Sequence, residues 1–82
     1  MMRGVQFLPA ALRDFGGLDR ITQLRVTSAL ERYASTGHGD VKKLQGRPRD
    51  FRLRVGKWRV FFDLDAPGTV TVTGIDNRGQ AY

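Results

Sequence analysis

The stretch Phe51-Arg52-Leu53-Arg54-Val55-Gly56-Lys57-Trp58-Arg59-Val60-Phe61-Phe62 alternates apolar and basic residues on both sides of a glycine-lysine pair. Successive side chains of a strand point to opposite faces, and a two-residue turn at Gly56-Lys57 sets the hairpin register. Val55 then lies opposite Trp58, Leu53 opposite Val60 and Phe51 opposite Phe62, which makes one coherent apolar face. The other face carries Arg52, Arg54 and Arg59, with Arg54 directly across from Arg59. Like charges in opposed positions destabilise a strand pair by a few tenths to about 1 kcal/mol, so the pairing makes physical sense with an external anion between them. Phosphate is the best candidate. The plain alternative is three solvated side chains on the open face of an antiparallel sheet. A local conflict such as two opposed arginines favours the functional reading.

Working outward toward the N-terminus, Val5 and Phe7 alternate with Gly4 and Gln6 as in a short strand, and Pro9 suits the first turn of a helix. Leu8, Ala11, Leu12 and Phe15 fall at helical spacing, and Gly16-Gly17 stops that helix. Asp19 or a neighbour caps a longer helix that runs to about Ser35, with Val26, Ala29, Leu30 and Tyr33 as its inward stripe. Arg13, Arg20, Arg25, Glu31 and Arg32 fall mostly on the outer surface of this helical pair. Thr36 to Asp40 is a break, and His38 within it reads as an exposed turn residue. Val41 to Asp50 reads as a basic loop anchored by Leu44, in which Lys42, Lys43, Arg47 and Arg49 are either plain solvated side chains or, as their density favours, contacts for phosphates.

Beyond the hairpin, Phe61 to Leu64 leads into the turn Asp65-Ala66-Pro67-Gly68 and a strand of β-branched residues from Thr69 to Ile75. Phe61 lies across from Arg52, an aromatic amid arginines that either stacks on a nucleotide or is covered by the C-terminal tail. The order is β-α-α-β-β-β, an α+β fold with two N-terminal helices packed on a small, mainly antiparallel sheet, in one domain over residues 1–82.

The 82 residues carry 14 Lys and Arg against eight Asp and Glu, a net charge of +6 that favours polyanionic partners. A chain of this length buries only roughly 60 to 65 % of its unfolded surface, so each core residue carries weight. With no cysteine and one histidine, neither a disulfide framework nor a metal site is expected, and no cofactor is implied. No segment approaches bilayer length and the N-terminus lacks an apolar run, so the cytoplasm is the expected location and no membrane partner is expected.

A helical pair, then Gly39-Asp40-Val41-Lys42-Lys43-Leu44 with Gly46, then the Arg-rich hairpin, then Arg78 followed by Tyr82, resembles the RelE/ParE superfamily of toxins from toxin-antitoxin operons. The resemblance covers essentially the whole chain. It implies a ribosome-dependent mRNA endoribonuclease in which a ribose 2′-OH attacks the adjacent phosphate, without a metal. Arg52 and Arg54 stand where RelE-type enzymes carry two basic strand residues, and Arg59 where they carry the arginine of the next strand. Arg78 stands at a phosphate-binding arginine and Tyr82 at a tyrosine that stacks on a base. Fixed guanidinium forks suit the charge that develops on the phosphoryl oxygens.

Many relatives have lysine where this chain has Arg52 and Arg54, and arginine is effectively never deprotonated. The proton acceptor is left among Tyr82, Asp63, Asp76, a ribosomal group, or none. The resemblance implies a cognate antitoxin, small and acidic, that covers the helical pair or the basic groove. The alternative within the superfamily is a ParE-like inhibitor of DNA gyrase that cuts no RNA.

Overall fold

A computed structural model describes residues 3–44 and 50–77. The elements are β1 (Gly4–Phe7), α1 (Pro9–Gly16), α2 (Arg20–Thr36), β2 (Val41–Lys43), β3 (Asp50–Val55), β4 (Trp58–Asp63) and β5 (Thr69–Asn77). They form a five-stranded sheet in the order β1-β5-β4-β3-β2, antiparallel except where β1 runs parallel to β5. Both helices pack on one face of it, giving the expected α+β fold.

The hairpin has the register its sequence dictates: Phe51 pairs with Phe62, Leu53 with Val60, Arg54 with Arg59 and Val55 with Trp58. Gly56 takes φ +60° in the turn, a left-handed conformation that a side chain would strain. Along one face Leu53, Val60 and Phe62 are buried against Val26, Leu30 and Tyr33 of α2 and Ala11 of α1. Phe62 is the hub, its ring stacked on Phe51 at 5.5 Å and tilted against Tyr33 at 5.2 Å. Trp58 is half-buried against this cluster, as its strand parity requires.

Pro9 opens α1 at its first position, and α1 ends at Gly16 with Gly17 as its C-cap. Asp19 occupies the N-cap position of α2 without a side-chain hydrogen bond, its carbonyl accepting from the Gln23 N–H. Gly37 closes that helix at φ +77°, its N–H donating to the Tyr33 carbonyl, an ending that glycine makes without steric penalty. Of the helically spaced set on α1, only Ala11 is buried and Phe15 half-buried, while Leu8 and Leu12 are exposed.

Two features depart from the sequence reading, and a third lies beyond it. Val41 to Lys43 is not loop but a short strand, held on the edge of β3 with Val41 opposite Leu53 and packed at the core. The last strand is longer than expected, running to Asn77, and is bulged: Phe61 faces Gly74 while Phe62 faces Val72, so Thr73 is an extra residue. A bulge of this kind inverts the alternation beyond it, which lets Ile75 join Val70 and Val72 in the core. Finally, β1 covers β5 only from Thr69 to Val72, and α1 closes the rest of that edge. The Leu8 N–H donates to the Val72 carbonyl, and the Asp14 carboxylate accepts the Ile75 N–H at 3.1 Å.

Candidate nucleic-acid interface

The face of the sheet turned away from the helices is organised in cross-strand rows, because directly paired residues project to the same side about 5 Å apart. One row runs Arg54, Arg59, Asp76. The next runs Lys42, Arg52, Phe61, Gly74. Four cations thus gather on two neighbouring rows of β2, β3 and β4, with Arg54 and Lys42 exposed and Arg52 and Arg59 half-buried. The Nε of Arg52 is screened from solvent and has no hydrogen-bond partner among the described residues. A buried donor in that condition costs about 1 to 3 kcal/mol until an acceptor is supplied.

Toward the other end of the face the charge reverses, since Asp50 pairs with Asp63 in the following row. Asp63 is partly engaged, its Oδ1 accepting the Asp65 N–H at 3.2 Å in the turn. Between the basic and acidic rows lies a recess of about 260 Å³, lined by Phe61, Gly74, Thr73 and Asp50 among others. Gly74 presents no side chain beside Phe61, and a Cβ there would come within 3.8 Å of the Asp14 Oδ2. Sequence reasoning missed Gly74; a glycine inside a strand is the signal that could have pointed to both the bulge and the recess.

Of the residues singled out from sequence, Arg52, Arg54, Arg59, Lys42 and Phe61 are brought together on this face. Lys43 is not: it pairs with Phe51 and so belongs to the side on which the helices pack. Asp76 is exposed at the end of the Arg54–Arg59 row, nearer to those arginines in register than Asp63 is. Arg47, Arg49, Arg78 and Tyr82 lie outside the described residues. Among the described residues, no three His, Cys, Asp or Glu side chains are grouped to hold a metal ion, and no helix is long and apolar enough to cross a membrane.

The backbone is similar to three solved toxin-antitoxin structures. A chain of the RelB–RelE antitoxin-toxin complex from Methanococcus jannaschii matches with a TM-score of 0.77, covering 94% of each chain at 18% identity. The chain has a RelE-like fold. The archaeal RelE–RelB complex from Pyrococcus horikoshii OT3 gives the same TM-score and identity over 98% of this chain and 99% of that one. The toxin-antitoxin complex RelBE2 from Mycobacterium tuberculosis gives 0.66 at 24% identity, covering 95% and 93%. No family model and no curated protein matches the sequence, so the likeness is one of fold. On this RelE-like scaffold the helices occupy one face of the sheet and the arginine rows the other.

Proposed function

We propose that the protein is the toxin of a toxin-antitoxin pair, an endoribonuclease that cuts mRNA in the decoding site of the ribosome and thereby halts translation in the cytoplasm. The observation that carries this reading is the opposition of Arg54 and Arg59 in a row next to Arg52 and Lys42, a cluster whose repulsion a phosphodiester relieves. The fold likeness to RelB–RelE complexes supports the toxin reading and an antitoxin as partner, and the net charge of +6 favours an acidic one.

In the proposed reaction the 2′-oxygen of a ribose attacks the adjacent phosphorus and the bond to the next 5′-oxygen breaks. The products are a 2′,3′-cyclic phosphate and a 5′-hydroxyl, the 2′-OH giving up one proton and the leaving oxygen taking one. Arg52, Arg54, Arg59 and Arg78 are assigned to the phosphoryl oxygens, where fixed donors favour the transition state over the ground state. Lys42, Arg47 and Arg49 track the strand, Phe61 stacks on a base, and Tyr82 stacks or relays a proton. Asp76 is the described carboxylate best placed in register to accept the 2′-OH proton.

A purified translating system supplies the test. Wild-type protein is expected to leave cuts in mRNA within the ribosome, and Arg59→Ala together with Arg78→Ala is expected to abolish them. Intact mRNA with gyrase–DNA cleavage complexes accumulating instead would transfer the assignment to the ParE-like alternative.

A further inference from the structure

The acidic row on the outer face of the sheet is unsuited to holding a phosphate. Asp50 and Asp63 are directly paired, and their carboxylates repel the group that Arg52, Arg54 and Arg59 attract. The two sets are nonetheless neighbours, since Asp50 and Arg52 are two residues apart on β3, about 7 Å along the strand. That step is comparable to the one across a ribose, from a phosphate to the base of its own nucleotide.

The recess between the basic and acidic rows spans this step. Phe61 lines it from β4, and Thr73 and Gly74 line it at the bulge of β5. Leu44, just past β2, lines it beside Asp50, its N–H donating to the Asp50 carbonyl at 2.9 Å. The extra residue at the bulge interrupts the cross-strand row that would otherwise continue past Phe61. At about 260 Å³ the recess is smaller than the ~300 to 1,000 Å³ of a site for a drug-sized ligand, which is the scale of one flat ring system.

The lining divides as a nucleobase does. Phe61 and Leu44 offer apolar surface to the face of a ring, while Asp50 and Thr73 offer polar atoms to its edge. A carboxylate has about four lone-pair sites and no donor, so beside any other partner it selects a base edge that carries N–H groups. Guanine presents N1–H and its amino group side by side, two donors matched to two carboxylate oxygens. Adenine and cytosine set one amino group beside a bare ring nitrogen, and uracil sets its single N–H between two carbonyl oxygens. Asp50, rather than Asp63, meets the recess; Asp63 accepts the Asp65 N–H in the neighbouring turn.

We infer that this recess takes one nucleobase of the bound strand and selects guanine, with Phe61 on the ring and Asp50 accepting from its N1–H and amino group. The inference rests on the RNA-cutting reading above and deepens it by naming the residue that sets sequence preference. The sheet face then divides its work. The arginine rows hold the backbone of any sequence, and Asp50 reads one base beside them.

The test uses the full chain and two readouts. Short single-stranded RNAs that differ in one base are titrated by fluorescence anisotropy, and the same substitutions are placed at each codon position of a reporter mRNA in a purified translating system. The wild type is expected to favour guanine over uracil at one position by roughly 5- to 150-fold, the range that one bidentate base contact supplies. Asp50→Asn, which keeps the shape but replaces one acceptor by a donor, is expected to bring that ratio below about threefold. Phe61→Ala is expected to weaken all four bases together, by roughly 5- to 150-fold, as loss of a stacking ring does. Circular dichroism melts check that each variant folds. Equal affinity for the four bases, or a guanine preference that survives Asp50→Asn while all four RNAs weaken together, would overturn the inference even where mRNA is cut. Guanine-selective binding that depends on Asp50, with mRNA left intact, would sink the nuclease assignment and leave the recess standing.

Discussion

The two faces of the β3–β4 hairpin share one backbone register and follow opposite rules. On the inner face Leu53, Val60 and Phe62 are almost wholly buried, each matched across the strands by a residue of like polarity. On the outer face the same pairing sets Arg54 against Arg59, and the Nε of Arg52 has no acceptor among the described residues. The inner face is consistent at every level, from alternation to packing, as expected of residues that specify the fold. The outer face sacrifices stability, and such a sacrifice is retained where a ligand completes the arrangement.

The contrast can be broken by substitution. Phe62→Ala should have the largest effect, a loss of about 3 to 5 kcal/mol in urea denaturation, because the ring is fully buried between Phe51 and Tyr33. A loss below about 1 kcal/mol would mean the inner face is not the core described above. If the proposed function holds, Arg59→Ala should lower the rate of mRNA cleavage by about 10² to 10³ with little change in ribosome affinity, as removal of a donor used in the transition state does. An equal loss in binding would make Arg59 a docking residue instead.

Smaller effects sharpen the comparison. Asp14→Ala should destabilise the fold by about 1 kcal/mol, since it removes the acceptor for the Ile75 N–H at the uncovered edge of β5; an unchanged melting temperature would show that water replaces it. Arg54→Thr should raise stability by a few tenths to about 1 kcal/mol while weakening RNA binding, because it removes one of two opposed charges and leaves a good strand residue. A fall in stability there would place Arg54 among the structural residues and erase the difference between the two faces.

The hairpin was legible because its information is local. A two-residue turn and a period of two fix which side chains oppose which, so the arginine cluster and the apolar face follow from twelve consecutive residues. The helical pair was legible for a similar reason, with Pro9, Gly17 and Gly37 marking its ends close to where they fall. Val41 to Lys43 was not, since three residues carry too little alternation to announce a strand, and only the waiting edge of β3 makes them one. Asp14 gave no signal of its role because its partner, Ile75, is 61 residues away.

By itself the sequence determined the local geometry: the hairpin register, the helix limits and the segregation of basic from apolar residues, all consequences of short-range periodicity and turn chemistry. The tertiary structure alone decided the bulge at Thr73 that returns Ile75 to the core, the edge closure by Asp14 and the recess beside Phe61. Those features depend on which distant elements end where against one another. No pattern within a single element encodes that, because the energy deciding it is released only when the elements meet.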